Sequence, residues 1–207
     1  MYRLYWAPYT ASMAVHAALE EIGADYTLER VDLGRPRDPA YLRLNPTGRV
    51  PTLTVGEGLV VCEAGAILMY LADRHPQAAL APAFSDPLRA AYYQWTCYLA
   101  GTLQPAFRPW RNPERYCDAP SHAEAVRRKA QEALRAAWEH VDRHLERNGP
   151  HILGERFSTC DLMVHMFGEW REPVPDLMEL YASVARLVRL TAQRPAVQKM
   201  MSYQQPV

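Results

Sequence analysis

The residues best placed for chemistry near the start of the chain are Thr10 and Ser12, which flank Ala11. They follow Pro8, at the point where the apolar run YWA ends and an amphipathic pattern begins. A helix N-terminus offers free backbone N–H groups and the positive end of the helix dipole. With two hydroxyls added, this junction is suited to hold an anion or a thiolate.

The elements around this junction alternate between strand and helix patterns. YRLYWA predicts a strand, and apolar residues recur at helical spacing from Ser12 to Ile22, with a stop at Gly23. YTLERVDL alternates with period two and predicts a second strand, and AYLRLNP predicts a short helical turn. PTLTV and LVVCE flank GEG and predict a β-hairpin, which a helix follows from about Glu63 to Pro76.

The stretch Pro76–Pro87 is rich in proline and alanine and continues neither pattern, which predicts a linker. From Leu88 onward nearly every segment has helical spacing. We therefore predict a small α/β domain over residues 1–77, a linker over 78–86 and an all-helical domain over 87–207.

Local signals set the expected helix boundaries in the second domain. Pro105 is expected to end the first long helix. Ser121 and Glu124 have the spacing of a capping box, which predicts the start of the next helix, and Ser158 and Asp161 repeat that spacing. Such pairs satisfy backbone N–H groups at a helix start, so they predict stability and no substrate.

Composition narrows the class of partner. The 207 residues carry 23 basic and 23 acidic side chains, so we expect no nucleic acid or anionic membrane partner. No apolar run is long enough for a membrane span and no signal peptide pattern is present, which favours a cytoplasmic protein. The four cysteines stand far apart and His140 and His144 have no evident third ligand, so we expect no disulfide framework and no metal.

Four motifs in order carry a family resemblance: YWAPYTASMAVHAALEEIG, LNPTGRVPTLTV, CEAGAILMYLADRHP and LGERFSTCDLMV. With these motifs the whole chain resembles the cytosolic glutathione transferases, and bacterial-type members look most similar. The resemblance implies a thioredoxin-like domain followed by a helical bundle, glutathione as co-substrate and a homodimer.

The resemblance also assigns roles within two of the motifs. Pro51 is expected to follow a cis peptide bond, which leaves the N–H and C=O of Val50 to pair with the cysteinyl part of glutathione. Arg49 is expected to bind the glycine carboxylate, although a solvated cation is nearly as good an interpretation. At the next helix start, the Ala64 N–H would receive the γ-glutamyl carboxylate, and Glu63 would serve either the ammonium group or the helix cap.

Two positions depart from the family pattern. The family usually has serine or threonine where this chain has Ala64, and one lost hydrogen bond to a charged group corresponds to about 1.5–3 kcal/mol. Many bacterial-type members have a cysteine where this chain has Ala11, so a mixed disulfide with a protein cysteine is excluded at that position. The sulfur would instead meet Thr10, with Ser12 ranked second and Tyr9 third. Alternatively, Thr10 or Ser12 only caps the helix.

The second substrate is expected to contact aromatic and arginine side chains of the first long helix and of the loop FRPWRNPER after it. A small aromatic or hydrophobic electrophile would suit such a wall. For each aromatic, packing in the bundle core is the alternative. The residues are Trp95, Tyr98, Phe107, Arg108 and Trp110.

The resemblance predicts an enzyme of detoxification that conjugates glutathione to a small electrophile, or one that uses glutathione to reduce disulfides. The competing hypothesis is a non-catalytic binding or regulatory protein, because Ala11 and Ala64 each remove a side chain that the family uses.

Overall fold

A mixed four-stranded sheet organises the first part of the chain in the computed structural model, which describes residues 1–34, 36–56, 58–170 and 172–204. The strands are β1 (Tyr2–Trp6), β2 (Tyr26–Arg30), β3 (Thr52–Val55) and β4 (Leu59–Cys62), in the order β2-β1-β3-β4. β1 pairs parallel with β2, and the other two pairings are antiparallel. The predicted strands and the β3–β4 hairpin are confirmed.

Three helices accompany this sheet: α1 (Ser12–Glu21), α2 (Pro39–Leu44) and α3 (Ala64–Arg74). α1 begins at the predicted residue, and Gly23 just beyond it adopts a φ of 62°. α1 is the most buried of the three, since eight of its ten residues are buried. Its apolar face packs with the inner face of the sheet and with α3 around Leu4, Val15, Leu19, Leu53 and Leu68, all fully buried.

The helical run that starts at Leu88 continues through Pro105, so the prediction that this proline ends it is wrong. α4 (Leu88–Tyr98) leads through a π-helical turn, Leu99–Leu103, into α5 (Gln104–Arg111). A proline has no N–H to give to the preceding turn, and the wide π turn lies directly before it, where that bond would be made. The predicted loop after this helix is likewise wrong in its first half, because Phe107, Arg108 and Trp110 all lie in α5.

The remaining helices are α6 (Ala123–Asn148), α7 (Thr159–Glu169), α8 (Leu177–Leu180), α9 (Ala182–Ala192) and α10 (Pro195–Ser202). α6 has 26 residues but carries many charges on its outer side. In the parts of the chain that are described, no helix combines the length and the apolar character needed to cross a membrane.

The chain forms two compact units. One contains Met1–Ala81 together with the segment that begins at Thr191, and the other is Pro82–Leu190. The core of the second unit includes Tyr92, Trp138 and Phe167, each almost fully buried. The domain ranges 1–77 and 87–207 stay predictions.

Ion pairs connect α10 and the residue before it to α1 within the first unit. Arg194 makes two bonds to the Glu21 carboxylate, of 2.5 and 2.7 Å, and Lys199 Nζ lies 2.9 Å from Glu20 Oε2. Burial would raise the pKa of Glu20, but hydrogen bonds from Tyr26 and Lys199 outweigh it and lower that pKa. The C-terminal helix is therefore an integral part of the sheet-containing unit.

His16 lies on the buried face of α1 beside this contact. Tyr26 donates its only hydroxyl proton to Glu20, so its oxygen accepts the hydrogen bond from His16 Nε2 at 2.9 Å. This assigns the proton of the neutral imidazole to Nε2. Nδ1 is buried without a partner among the described residues. Burial lowers the pKa of His16 to about 4, against a smaller opposite effect of Glu20 and a smaller reinforcing effect of Lys199.

A capping box starts α7 as predicted, whereas the one expected at α6 is absent. Ser158 Oγ accepts from the Cys160 N–H at 3.2 Å, and Asp161 Oδ2 accepts from the Ser158 N–H at 2.7 Å. Ser121 instead lies in the 3₁₀ turn Pro120–His122, which runs straight into α6 and leaves no side-chain cap there.

We predict that Ser158→Ala lowers the free energy of unfolding by about 1–2 kcal/mol, because a buried cap is lost. Ser121→Ala is the matched control, since this exposed serine caps nothing, and it should change stability by less than about 0.5 kcal/mol. Denaturant unfolding of the three proteins measures both effects. Equal losses in the two variants would contradict the assignment of the cap.

We predict that His16 makes stability fall in acid. Its pKa is about 4 in the folded chain, against about 6.5 when unfolded. As pH falls through this window, the unfolded chain takes up a proton that the folded chain does not. The free energy of unfolding is therefore unaffected above about pH 6.5 and declines by about 3 kcal/mol on approaching pH 4.

The test is denaturant unfolding of the wild type and of His16→Gln, whose neutral amide can still donate to Tyr26, at several values between pH 4 and pH 7. His16→Gln should lose most of the slope, while His122→Gln, at an exposed histidine, should keep it. Parallel curves for wild type and His16→Gln would show that another group causes the acid loss.

Candidate active site

Strand register brings three predicted segments to one end of the sheet. Tyr5 pairs with Thr52, and Thr52 pairs with Cys62. β1 ends just after this row, β3 begins in it, and β4 ends in it. The turn that carries Thr10, the residues before β3 and the start of α3 at Ala64 therefore meet at the same edge.

At the first of these segments, two hydroxyls and one carbonyl form a closed network. Thr10 Oγ1 lies 2.7 Å from both Ala7 O and Ser12 Oγ, and Ser12 Oγ lies 3.1 Å from Ala7 O. Each hydroxyl has one proton, so the three contacts are not all made at once: either both hydroxyls donate to Ala7 O, or one donates to Ala7 O and the other to its neighbour. Either hydroxyl can serve the carbonyl, which leaves the other free to turn toward an incoming acceptor.

The two hydroxyls differ in access. Ser12 is only 1% exposed, whereas Thr10 is partly exposed. Ala11 occupies the N-cap position of α1 and makes no side-chain cap. Thr10 Oγ1 nevertheless accepts from the N–H of Ser12, the first residue of the helix, at 3.4 Å. The alternative that Thr10 or Ser12 only caps the helix stays a prediction. Since the first turn of α1 contains no acidic residue, its dipole favours an anion here.

Tyr9 directly precedes Thr10 of this network in the sequence and has an exposed side chain. Its side chain is 45% exposed, and its φ of 50° lies in the left-handed region that residues with a Cβ rarely adopt. Its N–H donates to Gln204 Oε1 at 2.9 Å.

Two buried polar side chains, Tyr41 and Asn45, form hydrogen bonds with the segment before β3. Arg49 O accepts from Tyr41 Oη at 2.5 Å and from Asn45 Nδ2 at 2.8 Å. Both side chains also bond Thr52 Oγ1, at 2.9 and 3.0 Å. Burial raises the pKa of Tyr41, so this hydroxyl keeps its proton and remains a donor.

The peptide bond between Val50 and Pro51 is cis, as expected from the resemblance. The Val50 N–H and C=O have no hydrogen-bond partner among the described residues. They form an unpaired piece of backbone just before β3. The side chain of Arg49 is exposed beside it.

The third segment is the N-terminus of α3. Glu63 occupies the N-cap position with a φ of 69° and makes no side-chain cap, which rules out one of the two roles predicted for it. Ala64 is buried and begins the helix. The first N–H groups of a helix have no intrahelical acceptor, and no acidic residue lies in this first turn.

The predicted pocket residues occupy different environments within the second unit. Trp95 and Phe107 are each 3% exposed and pack in separate ring clusters, Trp95 with Tyr98 and His140, Phe107 with Phe167 and Trp170. These contacts favour core packing for Trp95 and Phe107. Tyr98, Arg108 and Trp110 are partly exposed.

Three contributors to the site were not predicted: Tyr41, Asn45 and Gln204. Asn45 precedes Pro46 in a dipeptide typical of turns, which is a usable signal. Gln204 carries no local signal, because its partner Tyr9 is 195 residues away in sequence. In the described part of the chain, no group of three or more metal-binding side chains comes together.

Comparison with known proteins gives matches that extend over the whole chain. A family profile described as "Glutathione S-transferase, N-terminal domain" matches residues 1–73. The chain is 31% identical to glutathione S-transferase GstA of Escherichia coli O157:H7 over 97% of each protein. It is 31% identical to the disulfide-bond oxidoreductase YfcG of Escherichia coli K12 over 78% of this chain and 76% of that protein.

Among solved structures, a glutathione transferase homolog from Sulfitobacter with bound glutathione superimposes with a TM-score of 0.88. The two sequences are 30% identical, and the match covers 98% of each chain.

Proposed function

The chain belongs to the glutathione S-transferase family, and we propose that it activates the thiol of glutathione for transfer to a small electrophile or for reduction of a disulfide. The observation that carries this proposal is the convergence of two helix N-termini and the unpaired backbone of Val50 at one end of the sheet. Together they offer two anion sites and one strand-like site, which suit a tripeptide with a carboxylate at the γ-glutamyl end and a thiol.

In this proposal each segment holds one part of glutathione. The cysteinyl N–H and C=O pair with the backbone of Val50, beside Pro51. The γ-glutamyl carboxylate lies on the N–H of Ala64, and Glu63, exposed and not engaged in capping, faces the ammonium group. The exposed Arg49 attracts the glycine carboxylate.

The sulfur then lies at the start of α1. The dipole of α1 and a hydroxyl donor lower the pKa of the thiol from about 8.5 toward neutrality, and its proton leaves to solvent. Thr10 is the proposed donor because it is the more exposed hydroxyl. When Thr10 turns to the sulfur, Ser12 can take over the bond to Ala7 O, 3.1 Å away. No buried carbonyl is then left without a partner.

Two reactions follow from a bound thiolate. It can attack an electrophilic carbon, forming a C–S bond as a leaving group departs with its electron pair. It can also attack a disulfide, forming a glutathione mixed disulfide and releasing the other half as a thiolate. A second glutathione thiolate then attacks the mixed disulfide, which breaks its S–S bond, releases the remaining half as a thiolate and forms glutathione disulfide. Because Ala11 supplies no thiol, glutathione itself must be the nucleophile in both.

The wider setting of the reaction is part of the same proposal. Family membership supports a homodimer and a cytoplasmic location, with residues 1–77 as the glutathione-binding domain and 87–207 as the substrate domain. For the electrophile, the partly exposed Tyr98, Arg108 and Trp110 remain the best-placed members of the predicted pocket.

A second candidate function is glutathione binding without catalysis. It is favoured by Ala64, which cannot supply the hydroxyl that the family usually has next to the γ-glutamyl carboxylate. Loss of one such bond weakens affinity by about one to two orders of magnitude.

Calorimetric titration with glutathione tests the proposed function, followed by assays of conjugation to a chloronitroaromatic and of reduction of a glutathione mixed disulfide. We expect binding and at least one activity. Binding without either activity would favour the non-catalytic function, and absence of binding at millimolar glutathione would refute both.

We predict that Thr10→Val lowers kcat/KM about 10- to 100-fold, because a hydrogen bond to a charged sulfur is lost. Ser12→Ala should have a smaller effect, about tenfold or less, since Thr10 keeps its hydroxyl. Steady-state kinetics at fixed pH gives both values, with Ser121→Ala as the unaffected control. A large loss in Ser12→Ala with normal turnover in Thr10→Val would assign the donor to Ser12.

A further inference from the structure

A buried glutamine from the far end of the chain contacts the turn that carries the thiol donor. Gln204 follows α10 and is only 1% exposed. Its Oε1 accepts from the Tyr9 N–H at 2.9 Å, and its Nε2 donates to Met200 O at 3.2 Å. One partner is a donor and the other an acceptor, so only this orientation of the amide satisfies both.

The backbone at Tyr9 needs such support. Its φ of 50° is unfavourable for a residue with a Cβ. The next residue is Thr10, so the direction of the Thr10 hydroxyl depends on how Tyr9 is held. An acceptor fixed at the Tyr9 N–H stabilises this conformation over the extended ones that tyrosine prefers.

Gln204 is in turn fixed by the contacts of the residues that precede it. The ring of Tyr203 packs edge-on against Trp6 and His16, with centroid distances of 6.3 and 5.0 Å. Further back, the ion pairs of Arg194 and Lys199 tie α10 to α1. The acceptor therefore has a defined place relative to the first residues of α1.

We propose that Gln204 is a positioning residue of the thiol site: by holding the Tyr9 N–H it directs Thr10 toward the sulfur of bound glutathione. The proposal rests on the proposed function, and it adds a residue that touches neither glutathione nor the electrophile. Loss of the Gln204 acceptor then affects the charged state of the sulfur and leaves the remaining contacts of glutathione in place.

The test compares Gln204→Met, which keeps the size of the side chain and removes the acceptor, with Gln198→Met, the same change at an exposed position of α10. The pKa of the bound glutathione thiol is measured from the ultraviolet absorbance of the thiolate as a function of pH. Calorimetry with S-methylglutathione, which forms no thiolate, measures the other contacts.

In Gln204→Met we expect the pKa of the bound thiol to rise by about one unit, with kcat/KM about tenfold lower at neutral pH and recovering at higher pH. Affinity for S-methylglutathione should stay within about twofold, since the tripeptide contacts remain. Gln198→Met should match the wild type in every measurement. If Gln204→Met does not fold, Gln204→Ser, whose side chain is too short to reach Tyr9, takes its place.

An unchanged thiol pKa in the Gln204 variant, or an equal loss of S-methylglutathione affinity, overturns the positioning role. The proposed function is not affected by that result, because the wild type still binds glutathione and lowers its thiol pKa. If the wild type binds neither glutathione nor S-methylglutathione, the proposed function fails and the positioning role fails with it.

Discussion

The pairing of β1 with β3, and of β3 with β4, constrains every part of the candidate site. At the row Tyr5, Thr52 and Cys62, β1 and β4 come to their ends and β3 begins. A shift of register by one residue would turn the buried Leu4 and Leu53 toward the other face of the sheet, at the cost of the core beneath α1. The packing of apolar side chains thus determines where the polar segments meet. The hydroxyls at α1 and the N–H groups at α3 are in place because Leu4 and Leu53 are buried.

Hydrogen bonds from buried polar side chains then fix the backbone of the segments that the strands bring together. Next to β3, Asn45 and Tyr41 satisfy the Arg49 carbonyl, while the Val50 N–H and C=O have no partner among the described residues. Behind α1, Ala7 O is served by two hydroxyls when one would be enough. An unpaired buried carbonyl is unfavourable, so this redundancy allows one hydroxyl to leave. In both arrangements a backbone carbonyl is bonded within the chain and a neighbouring polar group remains for a ligand.

The sequence was sufficient for features that depend on neighbours in the chain. The strand and helix order, the α1 start at Ser12 and the cap at Ser158 follow from periodicity and from contacts three or four residues apart. Two helix boundaries were predicted wrongly because the conformation of the surrounding backbone overrode the local sequence signal. Pro105 is accommodated by a π turn, and Ser121 has capping spacing but lies in a 3₁₀ turn. The role of Gln204 could not be predicted from the sequence, because no local pattern connects it to Tyr9.

The sheet-containing unit is discontinuous, since its last helix follows the entire second unit in the sequence. During synthesis on the ribosome, residues 82–190 must be made before α10 can cover α1. Until then Glu20 and Glu21 lack their cationic partners and the Tyr9 N–H lacks its acceptor. A fragment cut at Ala81 would be left in this same state however long it had to fold. A single cut in the chain therefore does not divide it into these two units, and insertion of extra sequence between Ala81 and Thr191 lengthens the loop that must close before the first unit is complete.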